Sequence, residues 1–209
     1  MNTLLIILAI ALIIWIAGTY LAIQGIEWPV YKREVARDTY EIREYESYIV
    51  AEVVVEWDMK TALYGGFRQL AGYIFGDNTS QASVKMTVPV MDTTESSESI
   101  AMTTPVMESG TKNGKHTIAF TMPSSYTLAT LPKPNNANIR FRKVSKSRKA
   151  VLRYTWYATE GRVEAKKKIL KDLLNRDGYI MKWEMISAQY NPPMSFPLLR
   201  RNEVMVDIE

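Results

Sequence analysis

The side chains able to do chemistry are few, and the most conspicuous are methionines. Met86-Thr-Val-Pro-Val-Met91 returns sixteen residues later as Met102-Thr-Thr-Pro-Val-Met107. Thioethers hold soft metals when several converge on one point. On a strand, successive side chains alternate between faces, so the two methionines of each copy point to opposite sides. Core filling by an adaptable side chain is therefore the expected role of Met86 and Met102. The prolines inside both copies point to edge strands or bulges. The single histidine, His116, lies between Lys115 and Thr117. It reads as an exposed residue in a turn before a strand, with no ligand role. Cysteine is absent, which removes disulfides, thiolate metal sites and cysteine nucleophiles. There is no paired-carboxylate motif, phosphate-cradling glycine loop or nucleophile elbow. The expectation is a non-enzyme, with no catalytic residue and no metal ligand.

A second constellation lies on the segment MKTALYGGFRQLAGYIFGDN, which reads as a helix capped by Asp58 and ending near Gly76. Leu63, Phe67, Leu70 and Ile74 recur at helical spacing and should face a core. Beside them Tyr64, Arg68, Ala71 and Phe75 form another stripe, bordered by Phe67, that carries two rings and one cation. Gly65, Gly66 and Gly72 each cost the helix about 1 kcal/mol relative to alanine. Two explanations stay open: close packing of the helix on a sheet, or a face for a flat apolar ligand with its carboxylate on Arg68.

The third is a basic run from Arg140 to Arg176, opposed by Glu160, Glu164 and Asp172. A solvated face is the plain reading; attraction to an anionic membrane, or to a protein partner, through the second helix is the functional one. No nucleic-acid-binding motif accompanies the charge.

The elements that must position these groups begin with Leu4 to Ile23, which holds no charged residue. At about 1.5 Å per residue this length covers the ~30 Å hydrocarbon core, and Trp28 and Tyr31 follow at interfacial depth. The absence of a basic leader and of a clear small-residue cleavage site favours a retained anchor over residues 1–26 rather than a signal peptide. Lys32, Arg33 and Arg37 then favour a cytoplasmic domain. Residues 27–38 read as a juxtamembrane linker and 39–209 as one folded domain, long enough for a core.

In that domain, strands are expected around Tyr40–Tyr45, Tyr48–Val55, Thr117–Met122, Ile139–Val144, Ala150–Trp156, Tyr179–Ile186 and Glu203–Ile208. A second helix covers about Gly161–Leu174, with Val163, Leu170, Leu173 and Leu174 on one side. The order strand, strand, helix, strand pair occurs once before residue 110 and once after. A slide of 99 residues places Ala51 on Ala150, Leu70 on Ile169 and Ile74 on Leu173. The predicted fold is α+β: duplicated βαβ-type halves forming a distorted antiparallel sheet or barrel flanked by two helices, behind an N-terminal transmembrane helix.

Five segments in order, GYIFGDN, VKMTVPVM with IAMTTPVM, FTMPSSYTLATLPKPNNANIRFRKV and YNPPMSFPLLRRNEV, resemble the SOUL heme-binding protein family from about Thr39 to the C-terminus. The resemblance implies the duplicated fold just described, and makes the doubled Met-Thr-x-Pro-Val segment a structural strand pair. It implies tetrapyrrole binding, chiefly of heme, in a shallow apolar cleft beside the first helix. Tyr64, Phe67, Arg68, Ala71 and Phe75 are the expected heme-binding residues. Family members bind with or without a histidine on the iron. The only histidine here lies outside the helix, so no axial ligand is carried over.

Overall fold

The computed structural model describes residues 2–56, 58–80, 97–110 and 114–209. In chain order the elements are α1 (Asn2–Leu21), β1 (Tyr31–Ala36), β2 (Glu41–Tyr45), β3 (Tyr48–Glu56), α2 (Met59–Ile74), β4 (Asn78–Thr79), β5 (Val106–Gly110) and β6 (Lys115–Thr121). There follow β7 (Lys133–Pro134), β8 (Arg140–Val144), β9 (Ser147–Tyr154), α3 (Glu160–Asp177), β10 (Ile186–Gln189), a 3-10 turn at Pro197–Leu199 and β11 (Asn202–Asp207). This is an α+β fold with antiparallel strand pairs.

The chain divides into two compact units, and their boundaries differ from the expected halves. One unit holds the residues up to Tyr45 together with Ser147–Glu209; the other is the uninterrupted stretch Glu46–Lys146. Within the second unit β8, β3, β6 and β5 pair in that order, α2 packs on β3 and β6, and β4 pairs with β7. Within the first, β1, β2, β9, β11 and β10 pair in order and α3 packs on β9 and β11. The first unit thus takes β1 and β2 from the first half of the sequence, and the second takes β6, β7 and β8 from the second half. The register repeats accordingly. Ala51 pairs with Phe141 and Ala150 with Ile42, so both positions in each pair are related by the 99-residue slide. The helices repeat at a different offset. Leu70 and Ile74 are buried and so are Leu170 and Leu174, whereas Ile169 is exposed.

The core of the second unit gathers Ala51 and Val53 of β3, Leu70, Tyr73 and Ile74 of α2, and Ile118 and Phe120 of β6, with Ile100, Leu131 and Ile139 from the loops. In the first unit, alternation places Ile42, Ala150, Leu152, Val204 and Val206 on one face, all buried. The opposite face carries buried charges. Arg43 donates to both oxygens of Glu203 at 3.0 and 3.1 Å, Arg201 to Glu203 at 2.7 and 2.9 Å, and Tyr190 to it at 2.6 Å. Lys149 pairs with Asp207 at 2.6 Å.

Several expectations need correction. The expected linker, 27–38, contains β1, which pairs with β2 from Tyr31↔Tyr45 to Ala36↔Glu41. The strand expected at Tyr179–Ile186 lies later, as β10, and Met181 makes only an isolated bridge to Ile208. Met86 and Met91 lie outside the described residues. Met102 precedes β5 and is 37% exposed, so it does not fill a core, whereas Met107 within β5 is buried.

α1 is long and apolar enough to cross a membrane, a test that a signal sequence also passes. It is docked on its own unit. Trp15 donates from Nε1 to the Met194 carbonyl at 2.7 Å, Phe196 donates its backbone N–H to Thr19 Oγ1 at 2.8 Å, and the Trp15 and Phe196 rings meet edge-on at 5.1 Å.

Candidate functional site

The helix that carries the candidate ligand face starts because Asp58, in extended conformation, accepts from the Lys60 and Thr61 backbone N–H groups at 3.0 and 3.1 Å. These are two of the donors a helix start leaves unsatisfied. Its inner side, Met59, Ala62, Gly66, Leu70, Tyr73 and Ile74, is buried. Gly66 is there for close packing. A Cβ at that position would lie 2.4 Å from Ile118 Cγ1 and 2.6 Å from Ile118 Cβ. Gly65 is different, since its nearest neighbour would be Val55 Cγ1 at 3.8 Å.

The outer stripe is largely where sequence spacing put it. Tyr64 is 73% exposed and Phe75 66%, and Arg68 is exposed between them. Eleven residues of helix separate the two rings by about 16 Å. Arg68 has no carboxylate partner among the described residues. Phe67 sits at the border between stripe and core, with its ring tilted edge-on against Phe120 at 5.3 Å. Ala71 departs from expectation. It is only 9% exposed, so it is a floor of the stripe rather than a surface position. Its methyl is flanked by the buried Leu70 and Ile74, which draw that turn toward the sheet.

The C-terminal end of α2 is held by loops of the same unit. Asn78 donates from Nδ2 to the Tyr73 and Glu98 carbonyls at 2.7 and 2.8 Å and accepts from the Glu98 N–H at 3.0 Å. Ile100 donates its N–H to the Ile74 carbonyl at 2.8 Å. Tyr73 donates to the Pro132 carbonyl at 3.0 Å, and Asn136 to Gln69 Oε1 at 2.9 Å. Tyr126 donates to Glu98 at 2.6 Å. That carboxylate, with burial, pushes the Tyr126 hydroxyl up to about 12, so it stays a donor at any physiological pH. These bonds fix the helix end that presents Phe75.

His116 is not the exposed turn residue expected. It lies in β6, half-buried, with Nδ1 2.8 Å from Glu108 Oε1 of β5. By alternation it shares a sheet face with Ile118 and Phe120, the face Gly66 packs against. The signal that could have found it was this period of two. Among the described residues no cluster of three or more histidines and carboxylates is placed to hold a metal.

The family model for the SOUL heme-binding proteins matches residues 26–207. The chain belongs to the SOUL heme-binding protein family. The match begins ahead of β1, which puts that strand inside the SOUL domain. A search of the curated proteins finds no match. Among solved structures, the EcmrR C-terminal domain is similar over 86% of this chain and 98% of its own, with TM-score 0.54 and 10% identity. An uncharacterized conserved protein from Listeria innocua is similar over 84% of this chain and 94% of its own, with TM-score 0.51 and 10% identity. A hydrolase from Listeria innocua gives TM-score 0.50 at 9% identity over the same shares. At such identities the likeness concerns the fold alone, and SOUL membership rests on the family match.

Proposed function

We propose that this SOUL-family chain is a membrane-anchored, non-catalytic heme-binding protein. In this reading the macrocycle lies along the outer stripe of α2, on Tyr64, Phe67, Arg68, Ala71 and Phe75. The observation that carries it is the pair of rings at Tyr64 and Phe75, turned out of the core on a helix whose other side is buried, with Arg68 between them. Flat rings supply contact area. The small side chain of Ala71 lets the macrocycle approach the helix, and Arg68 pairs with a propionate. No protein atom is assigned to the iron, because the single histidine, His116, lies in β6 and not on the α2 stripe. α1 is the anchor, with the domain on the cytoplasmic side behind Lys32, Arg33 and Arg37.

The test is a titration of the full chain, in mild detergent, with hemin and with iron-free porphyrin. Equal affinity for both is expected, as is at least tenfold weakening by Phe75→Ala or Arg68→Glu, with circular dichroism unchanged. Loss of the Soret shift in His116→Ala, with Phe75→Ala unaffected, would sink the assignment and put a histidine on the iron.

A second reading, a tethered module that binds anionic lipid or protein through α3, draws on exposed Lys168 and Lys171, which make no ion pair among the described residues. Exposed charge adds little to folding. Lys166→Gln/Lys168→Gln/Lys171→Gln should therefore keep its melting temperature and lose attraction to anionic vesicles. Unchanged vesicle binding would retire this reading.

A further inference from the structure

The loop ahead of β11 meets α1 well short of that helix's C-terminal end. Trp15 donates to the Met194 carbonyl, and Thr19 accepts from the Phe196 N–H. Thr19 is 4% exposed at that contact, on a helix whose other described side chains are nearly all exposed. Six residues of helix separate Trp15 from Leu21, about 9 Å along the axis. Crossing the ~30 Å hydrocarbon layer takes about 20 residues, which is the whole of α1 (Asn2–Leu21). If α1 crosses a membrane, its last turns lie inside the apolar layer, and the loop bound to them goes in with them.

Residues 192–199, PPMSFPLL, have the composition for that place. They carry no charge, and Pro192, Pro193, Met194 and Leu198 are exposed, Met194 at 82%. Lipid offers no hydrogen bonds, so irregular backbone enters it only where the protein takes up the polar groups. Pro192, Pro193 and Pro197 have no N–H to satisfy. Ser195 donates to the Pro192 carbonyl at 3.1 Å, Leu199 to the Phe196 carbonyl at 3.0 Å, and Phe196 to Thr19. The carbonyls of Pro193, Met194 and Pro197 accept from Arg200 Nη1, Trp15 Nε1 and the Trp156 N–H at 2.9, 2.7 and 2.9 Å. Arg200, the first charge after the loop, is buried and does not interrupt the apolar surface. Beside the loop, Trp156 is 43% exposed on a backbone with φ 77°, a rare conformation for a bulky residue. Its N–H is held by Pro197 and its carbonyl by Asn202 Nδ2 at 2.7 Å. Such strain persists only where the surroundings enforce it. Here it sets next to the loop the side chain most at home at a membrane–water interface.

We propose that residues 192–199 insert into the lipid leaflet beside α1, with Met194 and Leu198 among the acyl chains and Trp156 at headgroup level. The occupant of this surface is the bilayer itself. The exposed loop residues continue the exposed apolar surface of α1, so a protein partner would have to reach them at membrane depth. A depth of about 9 Å also matches the 5–10 Å to which interfacial elements bury. The insertion rests on the reading of α1 as a retained anchor and is independent of the α2 stripe. It seats the first unit on the membrane at two points, helix and loop, instead of hanging it from a tether.

The absence of cysteine allows a single nitroxide label to be placed by substitution. The full chain is reconstituted in phosphatidylcholine vesicles as Ile10→Cys, Met194→Cys, Leu198→Cys or Ile180→Cys. All four positions are exposed, so a label displaces no core. Ile180 is the control. It is apolar, but it lies by Glu209 at the far end of β11, since its carbonyl accepts from the Glu209 N–H. Spin-label relaxation then reads collision with oxygen, which concentrates in lipid, against a water-soluble nickel chelate, which lipid excludes. The oxygen-to-nickel ratio at Ile10, Met194 and Leu198 is expected to exceed that at Ile180 about tenfold. Equal ratios at Met194, Leu198 and Ile180, with Ile10 in lipid, overturn the insertion and leave the anchor standing. Weak collision with both reagents at Met194 and Leu198 reveals a protein cover, a second copy included, and overturns the insertion as well. A label at Ile10 that favours nickel overturns the anchor reading and the insertion with it. None of these positions lies on α2, so hemin binding is read separately.

Discussion

Adjacent glycines of α2 should respond to alanine with opposite signs. An ideal Cβ at Gly66 lies 2.4, 2.6 and 3.2 Å from Cγ1, Cβ and Cγ2 of Ile118. Carbon contacts are comfortable at about 3.5–4.0 Å, so roughly 1 Å must be found. Rotation of Ile118 cannot supply it, because its Cβ is fixed to the β6 backbone. The helix has to lift, which also loosens Leu70 and Ile74 over the sheet. Overpacking of this kind costs about 1–3 kcal/mol. With clashes to a Cβ, the upper end applies, and the propensity gained by leaving glycine returns about 1 kcal/mol. Gly66→Ala is therefore expected to lose about 2 kcal/mol. At Gly65 the new methyl meets only Val55 Cγ1, at 3.8 Å, so Gly65→Ala should gain up to about 1 kcal/mol. With a urea dependence of about 2 kcal/mol per molar, the two midpoints should separate by about 1.5 M. Urea unfolding followed by circular dichroism in detergent measures this. Equal midpoints for the two variants would refute the packing argument and return Gly66 to the ligand face.

The network at Glu203 should be unforgiving. Glu203→Gln leaves the buried Arg201 without its counter-charge and Arg43 with Glu41 alone, and a loss of about 3–5 kcal/mol in urea unfolding is expected. The second methionine copy should split. Met107→Ala costs about 2–5 kcal/mol as a buried truncation, and Met102→Ala stays within about 0.5 kcal/mol as a surface change; matching losses would restore Met102 to the core. Asp177, hydrogen-bonded by Arg176 and by the Tyr40 hydroxyl, has its carboxyl held down at about 2, against an ordinary 3.8. A depressed carboxyl stabilises the fold fully above its unfolded value and loses that contribution as pH falls through its folded value. Wild type should thus exceed Asp177→Asn at pH 7, and the gap should shrink from about pH 4 and close below pH 2; a gap undiminished at pH 2 would contradict the linkage.

What the sequence disclosed about α2 follows from its periodicity. Leu70 and Ile74 lie four residues apart, and so do Tyr64 and Arg68, so core and outer stripe separate on a helical projection without knowledge of the sheet. Ala71 was misjudged because it adjoins both, and only the tilt of the helix on β3 and β6 decides its burial. Most strands were legible for the same local reason, β1 and β10 being exceptions, but strand pairing was not. Only Glu46 and Ser47 separate β2 from β3, and only Ser145 and Lys146 separate β8 from β9. Two-residue links are the usual signature of hairpins. Here each link is instead where the chain leaves one unit for the other. That choice rests on partners about a hundred residues away, such as Ala150 for Ile42, which no local pattern records. For His116 the period of two is enough to place it on the inner face of β6, whereas its partner Glu108 comes to it only through the β5–β6 register.

The sequence of one unit is inserted within the sequence of the other, and this sets a timetable for synthesis. Glu46–Lys146 is contiguous and holds all its own strand partners for β3, so it can close as soon as it has emerged. β1 and β2 can pair at once with each other, but the far edge of β2 waits for β9, which begins at Ser147. At about 5–20 residues per second that delay is roughly 5–20 s. During that interval a strand edge stands open on a nascent chain. Its sequence, Glu41-Ile-Arg-Glu-Tyr45, carries a charge at three of five positions, the composition that discourages a stray strand from docking. The Arg43 that ends up in the buried network with Glu203 thus also guards the edge before Glu203 has been made.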